Sequence, residues 1–296
     1  MRLSHQFKIL PTAEQRVTLN EWLEKLRCQY NWLLQERFNW WDQNRCCVNA
    51  CPIDVTHLPE LKEQPNFYSQ KKSLVQLKVD RPWYKAVHSQ VLQDLVKRVD
   101  LAFDRYIKGD CNGKRSGKPR FKSKNRYHSF TYPQANSDWI DGNKIDLPKL
   151  ATVKAIWYRK IPDGFDVKTC IVSQKADGWY ITIALECKAV PDAVEMIPTV
   201  DNSIGVDLGL EKFASDSDGN FIDIPQHFRK AETKLKKLQQ KVANAKKESV
   251  ARKKLIRKVA LAHQKIARQR KQYRTALLPK SSKSFPNFPN SMVYHK

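Results

Sequence analysis

The sequence predicts an α+β protein in which helices occupy both ends of the chain and a block of short antiparallel strands, a small barrel or a sandwich, lies between them. Three observations predict it. Apolar residues recur at helical spacing early in the chain, as in Val87, Val91, Leu95, Val99 and Phe103. Period-two runs separated by turn residues fill the stretch from Ala151 to Cys187. After a linker with prolines at 191 and 198, alternating strands lead into a long lysine-rich helical region.

Taken in order, Leu3, His5, Phe7 and Ile9 alternate as in a strand buried on one face, which Pro11 ends. Thr12 and Gln15 have capping-box spacing, and Val17, Leu23, Leu26, Tyr30 and Leu33 continue at helical intervals, so a helix is expected from about Ala13 to Phe38. Residues 42–66 carry Cys, Pro and Asn without periodicity and suit a loop or short helices. A helix is expected from Trp83 to Ile107, with Val87, Val91, Leu95, Val99, Phe103 and Tyr106 inward and Lys85, Asp94, Lys97, Arg98 and Arg105 outward. Strands follow at Ala151–Arg159, Val167–Lys175 and Trp179–Cys187, the last two joined at Asp177 and Gly178. Residues 190–203 form a linker. Beyond it, Ile204, Val206 and Leu208 alternate with Gly205, Asp207 and Gly209, and Asp218 and Gly219 turn the chain into Phe221–Ile224. A helical pair is expected over Arg229–Arg274, and the Ser-, Pro- and Asn-rich tail over 279–296 is expected to be disordered.

Charge narrows the partners. The 296 residues hold 54 Lys and Arg against 30 Asp and Glu, a net +24, which draws in polyanions. Nucleic acid is the leading partner, because neutralising phosphates releases counterions. No apolar run approaches the length that spans a membrane, and the N-terminus lacks the apolar core of a secretory signal, so a cytoplasmic protein without membrane contact is expected. An odd count of seven cysteines with irregular spacing suits reduced thiols. Cys46, Cys47, Cys51 and His57 carry the residue types of a zinc site, but adjacent cysteines suit tetrahedral ligation badly, and no zinc is expected.

Two stretches carry the chemistry. From Lys108 to Arg126, eight basic residues face the single acid Asp110, with Gly109, Gly113 and Gly117 between them. The expected nucleic-acid contacts are Lys114, Arg115, Lys118, Arg120, Lys122, Lys124 and Arg126 for phosphates, with Phe121, Tyr127, Phe130 and Tyr132 interleaved as rings able to stack on bases. Over Arg229–Arg274, eighteen Lys and Arg stand against Glu232 and Glu248, a net +16. Like charges on neighbouring turns repel, so an anionic partner relieves the strain. Asp207 lies in an apolar strand between two glycines, where it is either a turn residue or a metal ligand.

The chain resembles the TnpB (OrfB) proteins of bacterial insertion sequences, RNA-guided nucleases related to the type V CRISPR effectors. The blocks that carry the resemblance run from FKILPTAEQ and YNWLLQER through KVDRPWYKAVHSQVLQDLVKRVDLAFDRY, GKPRFKSKNRYHSFTYPQ, LPKL and DGWYITIALE to IGVDLGLEKFASDSDG and HQKIARQRKQYR, in the family's order. The resemblance implies a first barrel strand at 1–10, a helical recognition lobe at 11–127 with its basic aromatic loop at 108–127, a wedge-like β-barrel at 128–200 and a partial RuvC/RNase H-like domain at 201–278. It also implies a guide RNA from the transposon end, a DNA target and magnesium as the metal, with Asp207 as first catalytic carboxylate and metal ligand. Members of the family add a second catalytic glutamate, a CxxC zinc module and a third catalytic aspartate further along, none of which occurs in these residues. The expectation is therefore a C-terminally truncated member that binds nucleic acid without appreciable nuclease activity. The alternatives are an active nuclease that recruits Glu211, Asp216, Asp218 or Glu232, and a decayed gene product.

Overall fold

The computed structural model describes residues 1–50, 63–124, 126–188, 206–207, 212–217, 219–223 and 226–284; along 43–50 and 274–284 it describes the backbone alone. Two compact units divide at Val190 and Pro191.

The first unit is built on a curled antiparallel sheet. Its strands are β1 (Arg2–Leu10), β2 (Ser129–Tyr132), β3 (Ile140–Asp141), β4 (Lys144–Leu147), β5 (Ala151–Ile156), β6 (Asp166–Lys175) and β7 (Gly178–Glu186), in the order β2-β6-β7-β1-β5-β4-β3. The expected barrel is thus a curved sheet with β2 and β3 at its edges. β1 lies in the interior of the sheet, pairing with β7 over Arg2–Ile9 and with β5 at Lys8, Ile9 and Leu10. Its alternation works as read: His5, Phe7 and Ile9 are buried. The β6–β7 hairpin closes with Lys175 opposite Gly178, whose φ of 142° lies in a region that suits glycine.

Between β1 and β2 in the chain lie the helices α1 (Ala13–Ala50), α2 (Phe67–Asp80) and α3 (Ser89–Ile107). The expected capping box starts α1: Gln15 N–H donates to Thr12 Oγ1 at 3.2 Å, and Thr12 N–H donates to Gln15 Oε1 at 3.0 Å. Gln15 Nε2 also donates to the Thr152 carbonyl, tying the helix to β5. α1 runs on to Ala50, twelve residues past its expected end. The start of the expected helix at Trp83 is a 3₁₀ turn, Pro82–Ala86, and α3 begins only at Ser89. Leu19, Trp22, Leu26, Leu33 and Leu34 of α1, Leu74 of α2, Val91, Leu95, Val99 and Phe103 of α3 and the inner face of the sheet share one core. Each such side chain contributes about 1.5–3 kcal/mol when buried.

The outward reading of α3 needs correction at Arg98. Arg98 turns toward β2: its Nε donates to Asp94 at 2.8 Å, Nη1 to the Ser129 carbonyl at 2.8 Å and Nη2 to Thr131 Oγ1 at 2.5 Å. The neighbouring strand holds the guanidinium because these carbonyl and hydroxyl oxygens need donors away from water. Arg37 makes a similar tie inside the helices, donating to Gln70 Oε1 at 2.9 Å and Asp100 at 2.8 Å.

The second unit holds β8 (Val206–Asp207), β9 (Lys212–Asp216) and β10 (Phe221–Asp223), an antiparallel sheet in the order β10-β9-β8, and α4 (His227–Asn244) and α5 (Val250–Ser284). The helical region is a pair, as expected, broken at 245–249, where Glu248 takes a φ of 66° and Ser249 Oγ accepts from Arg252 N–H. Leu235 and Ile266 are its most buried apolar residues. Tyr273 of α5 packs edge-on against Phe213 at 5.6 Å and donates to the Asp223 carbonyl, joining helix to sheet. α5 continues six residues into the segment expected to be disordered. The zinc reading of Cys46, Cys47, Cys51 and His57 rests on side chains outside the described residues, and the linker 190–203 and tail residues 285–296 lie outside them too.

Candidate nucleic-acid interface

The basic loop between α3 and β2 is folded rather than slack. At its start, Asp110 accepts from Asn112 and Lys114 N–H through one carboxylate oxygen, both at 2.9 Å, and its own N–H donates to the Lys114 carbonyl. Gly109 has a φ of 94°, and a Cβ there would stand 2.9 Å from the Gly113 carbonyl oxygen, so only glycine permits this turn. The lone acid of the stretch is therefore engaged by backbone N–H groups, and Lys108 at its start pairs with Asp104 at 3.1 Å.

Further along, α1 clamps the loop. Asn31 Oδ1 accepts from Lys122 N–H at 2.8 Å and Asn31 Nδ2 donates to the Lys122 carbonyl at 2.9 Å, the two-bond pattern of a β-bridge supplied by a side chain. Arg27 Nη1 adds a third bond to that carbonyl at 3.1 Å and is itself gripped by Glu24 through two bonds of 3.0 and 2.6 Å. The Arg27 hydrogen bond holds the Glu24 carboxyl below its ordinary range. The residue types alone give no sign of these clamps, because a polar helix residue reads as solvated until its partner is known.

Most of the expected contacts stand free for a ligand. Lys114, Arg115, Lys118, Arg120, Lys124 and Arg126 are exposed and Lys122 is half-buried. Lys118 Nζ lies 4.4 Å over the Phe38 ring and Lys122 Nζ 5.7 Å over Tyr30. These cation–π contacts keep the ammonium groups ordered at the surface. Phe121 is 49% exposed and meets Phe38 edge-on at 5.7 Å, leaving part of its ring open.

The other three rings are a correction. Tyr127, Phe130 and Tyr132 are buried in the core, with Tyr127 against Tyr30 at 6.0 Å and Phe130 against Trp22 at 5.6 Å. Rings packed on that scale offer no face to a base. Burial pushes the Tyr127 phenol up to about 12, and Arg98 beside it offsets only part of that shift. A signal for this was present: Phe130 and Tyr132 alternate with Ser129 and Thr131 at the period of a strand.

Asp207 sits on β8, exposed, paired with Ser215 across the sheet. Among the described residues no three His, Cys, Asp or Glu side chains come together in a way that could hold a metal ion. Glu211 and Asp218 lie outside the described residues, and so does the side chain of Asp216. Magnesium takes six oxygens and needs one or two carboxylates along with phosphates and water. Asp207 alone does not make a two-metal centre.

Comparison with known proteins places this architecture. Residues 187–280 match the OrfB family model described as "Probable transposase", and residues 1–46 match the family's "Helix-turn-helix domain". In this chain the latter segment is a strand and part of one long helix. A protein of Streptomyces pristinaespiralis called "Putative RNA-guided DNA endonuclease" is 27% identical over 275 residues, 91% of this chain and 61% of its own. The Escherichia coli K12 protein "Putative RNA-guided DNA endonuclease InsQ" is 31% identical over 191 residues, 64% of this chain and 45% of its own. The chain is therefore similar to OrfB proteins over residues 1–46 and 187–280. It spans about half the length of the curated relatives it matches. No helix among the described residues is long and apolar enough to cross a membrane.

Proposed function

We propose that this chain is a nucleic-acid-binding member of the family that engages a guide RNA and its DNA target, and that it binds without cutting. The observation that carries the reading is the loop 108–127: seven exposed cationic side chains on a backbone fixed by Asp110, Asn31 and Arg27, with Phe121 open beside them. Ordered cations lose little conformational entropy on meeting phosphates, and an open ring stacks on any base. The basic pair α4 and α5 extends the same chemistry in the second unit. In this reading the curled sheet is the wedge, α1 to α3 are the recognition lobe, and β8 to β10 begin a RuvC-like domain. The absence of cutting follows from Asp207, which needs further carboxylates to hold magnesium.

Filter binding of single-stranded RNA and duplex DNA at rising salt tests the binding. Affinity is expected to fall steeply with ionic strength, and a flat profile overturns the reading. Incubation with guide-matched DNA and magnesium tests the second part. Cleavage that disappears in Asp207→Ala would show an active centre and overturn the claim of binding alone.

A further inference from the structure

Away from the basic loop, three cation-capable side chains from three segments converge on the first turn of α3. Lys78 comes from the last turn of α2, and its Nζ donates to Ser89 Oγ at 2.8 Å. Lys149 comes from the turn between β4 and β5, where it adopts a φ of 66°, and its Nζ donates to the Lys85 carbonyl. His88 is the residue that opens α3 and caps it with no side-chain hydrogen bond. The turn that carries Lys149 is pinned, since Leu150 N–H donates to the Leu147 carbonyl at 2.8 Å and Tyr132 Oη to the Pro148 carbonyl at 3.0 Å.

The charges at this place are unbalanced. Among the described residues neither Lys78 nor Lys149 forms an ion pair with an acid. Burial lowers the proton affinity of Lys78, and the charge of Lys149 lowers it further. Burial likewise lowers that of His88, with Lys149 and then Lys78 adding to the effect. Two buried polar atoms stand without a partner here, His88 Nδ1 and Gln90 Oε1. The first N–H groups of a helix add partial positive charge in the same direction. Like charges gathered without an acid cost stability unless an anion joins them.

We propose that Lys78, Lys149, Ser89 and His88 form a subsite for one phosphate oxyanion at the start of α3, separate from loop 108–127. Two lysine ammonium groups, a hydroxyl and helix N–H groups are the donor set that an oxyanion takes, and the site offers no planar fork that would select a carboxylate. The phosphate is either a backbone phosphodiester of bound nucleic acid, in which case the site deepens the function proposed above, or free inorganic phosphate.

The test uses the full chain with imidazole NMR of His88 and filter binding in parallel. Inorganic phosphate, titrated at ionic strength held constant with chloride, is expected to shift the His88 resonances saturably. The shift should vanish in Lys149→Met and Lys78→Met, return in Lys149→Arg, and persist in Lys85→Met, with unchanged thermal midpoints showing that the variants fold. If RNA or DNA displaces the phosphate, and Lys149→Met lowers the salt slope of nucleic-acid binding by about one, the ligand is a phosphodiester. If the phosphate shift is present and nucleic-acid binding ignores both the variant and added phosphate, the ligand is the free ion. A non-saturating shift, or one that survives both lysine variants, overturns the site even where nucleic acid still binds through the loop. Saturable phosphate binding in a chain that binds no nucleic acid keeps the site and removes the function proposed above.

Discussion

Tyr127 shows how one side chain can serve the fold where its neighbours in the loop lie exposed to solvent. Its phenol is enclosed between Tyr30 and Arg98, and burial holds its proton up to about pH 12, against about 10 in an unfolded chain. A folded value above the unfolded one means that the stabilisation is complete below about pH 10 and is lost as pH rises through about 12. The Cys170 thiol, pushed by burial from 9.0 up to about 12, acts in the same sense from about pH 9. The chain is therefore expected to lose stability in alkali across this window. Tyr127→Phe should remove on the order of 2 kcal/mol of that loss while leaving neutral stability nearly unchanged. Urea unfolding at pH 8 and pH 11 checks this, and an identical alkaline loss in both proteins would refute it.

Asp207 stands at the opposite extreme, an exposed carboxylate with no enclosing cluster among the described residues. The cleavage test given above turns on whether this carboxylate gains the further oxygens that magnesium takes.

Elements earn their roles through what clamps them. The loop between α3 and β2 depends on a few side-chain bonds from α1, above all the paired bonds of Asn31 to Lys122. Asn31→Ala leaves a half-buried N–H and C=O without those partners, a loss of about 1–3 kcal/mol. Because the loop can loosen without the core opening, the expected result is faster hydrogen exchange at the Lys122 amide and weaker RNA binding, with a thermal midpoint little changed. Global unfolding in place of local loosening would show that the clamp belongs to the core. The helices α4 and α5 work differently: they pack on each other, with Leu235 and Ile266 buried and the described lysines exposed. Amphipathicity thus sets the positions of the charges without any single clamp.

For the molecule as a whole, the division at Val190 and Pro191 separates a unit with a large continuous core from a smaller one of three short strands and two helices. A fragment of residues 1–190 should fold alone and give a cooperative melt with the near-UV signal of its packed tryptophans. A fragment without such a transition would mean that the core needs the second unit.

How much of this was legible depends on how far apart the deciding residues lie. The capping box of Thr12 and Gln15, the stripe of Val91 to Phe103 and the β6–β7 hairpin rest on neighbours within a few residues, and the sequence displays them. The short strand β2 escaped notice, as did the inward turn of Arg98 and the clamp of Asn31, because each is settled by a partner 31 to 91 residues away.

The order of residues sufficed to establish a basic, mixed helix-and-strand chain with its cations concentrated in one loop and one helical pair, since charge and local periodicity need no partner to be read. Packing alone settled which rings face a ligand and which face the core, and it brought Lys78, His88 and Lys149 to one place. Both outcomes rest on contacts between distant segments, whose burial and hydrogen bonding exist only once the chain has closed on itself.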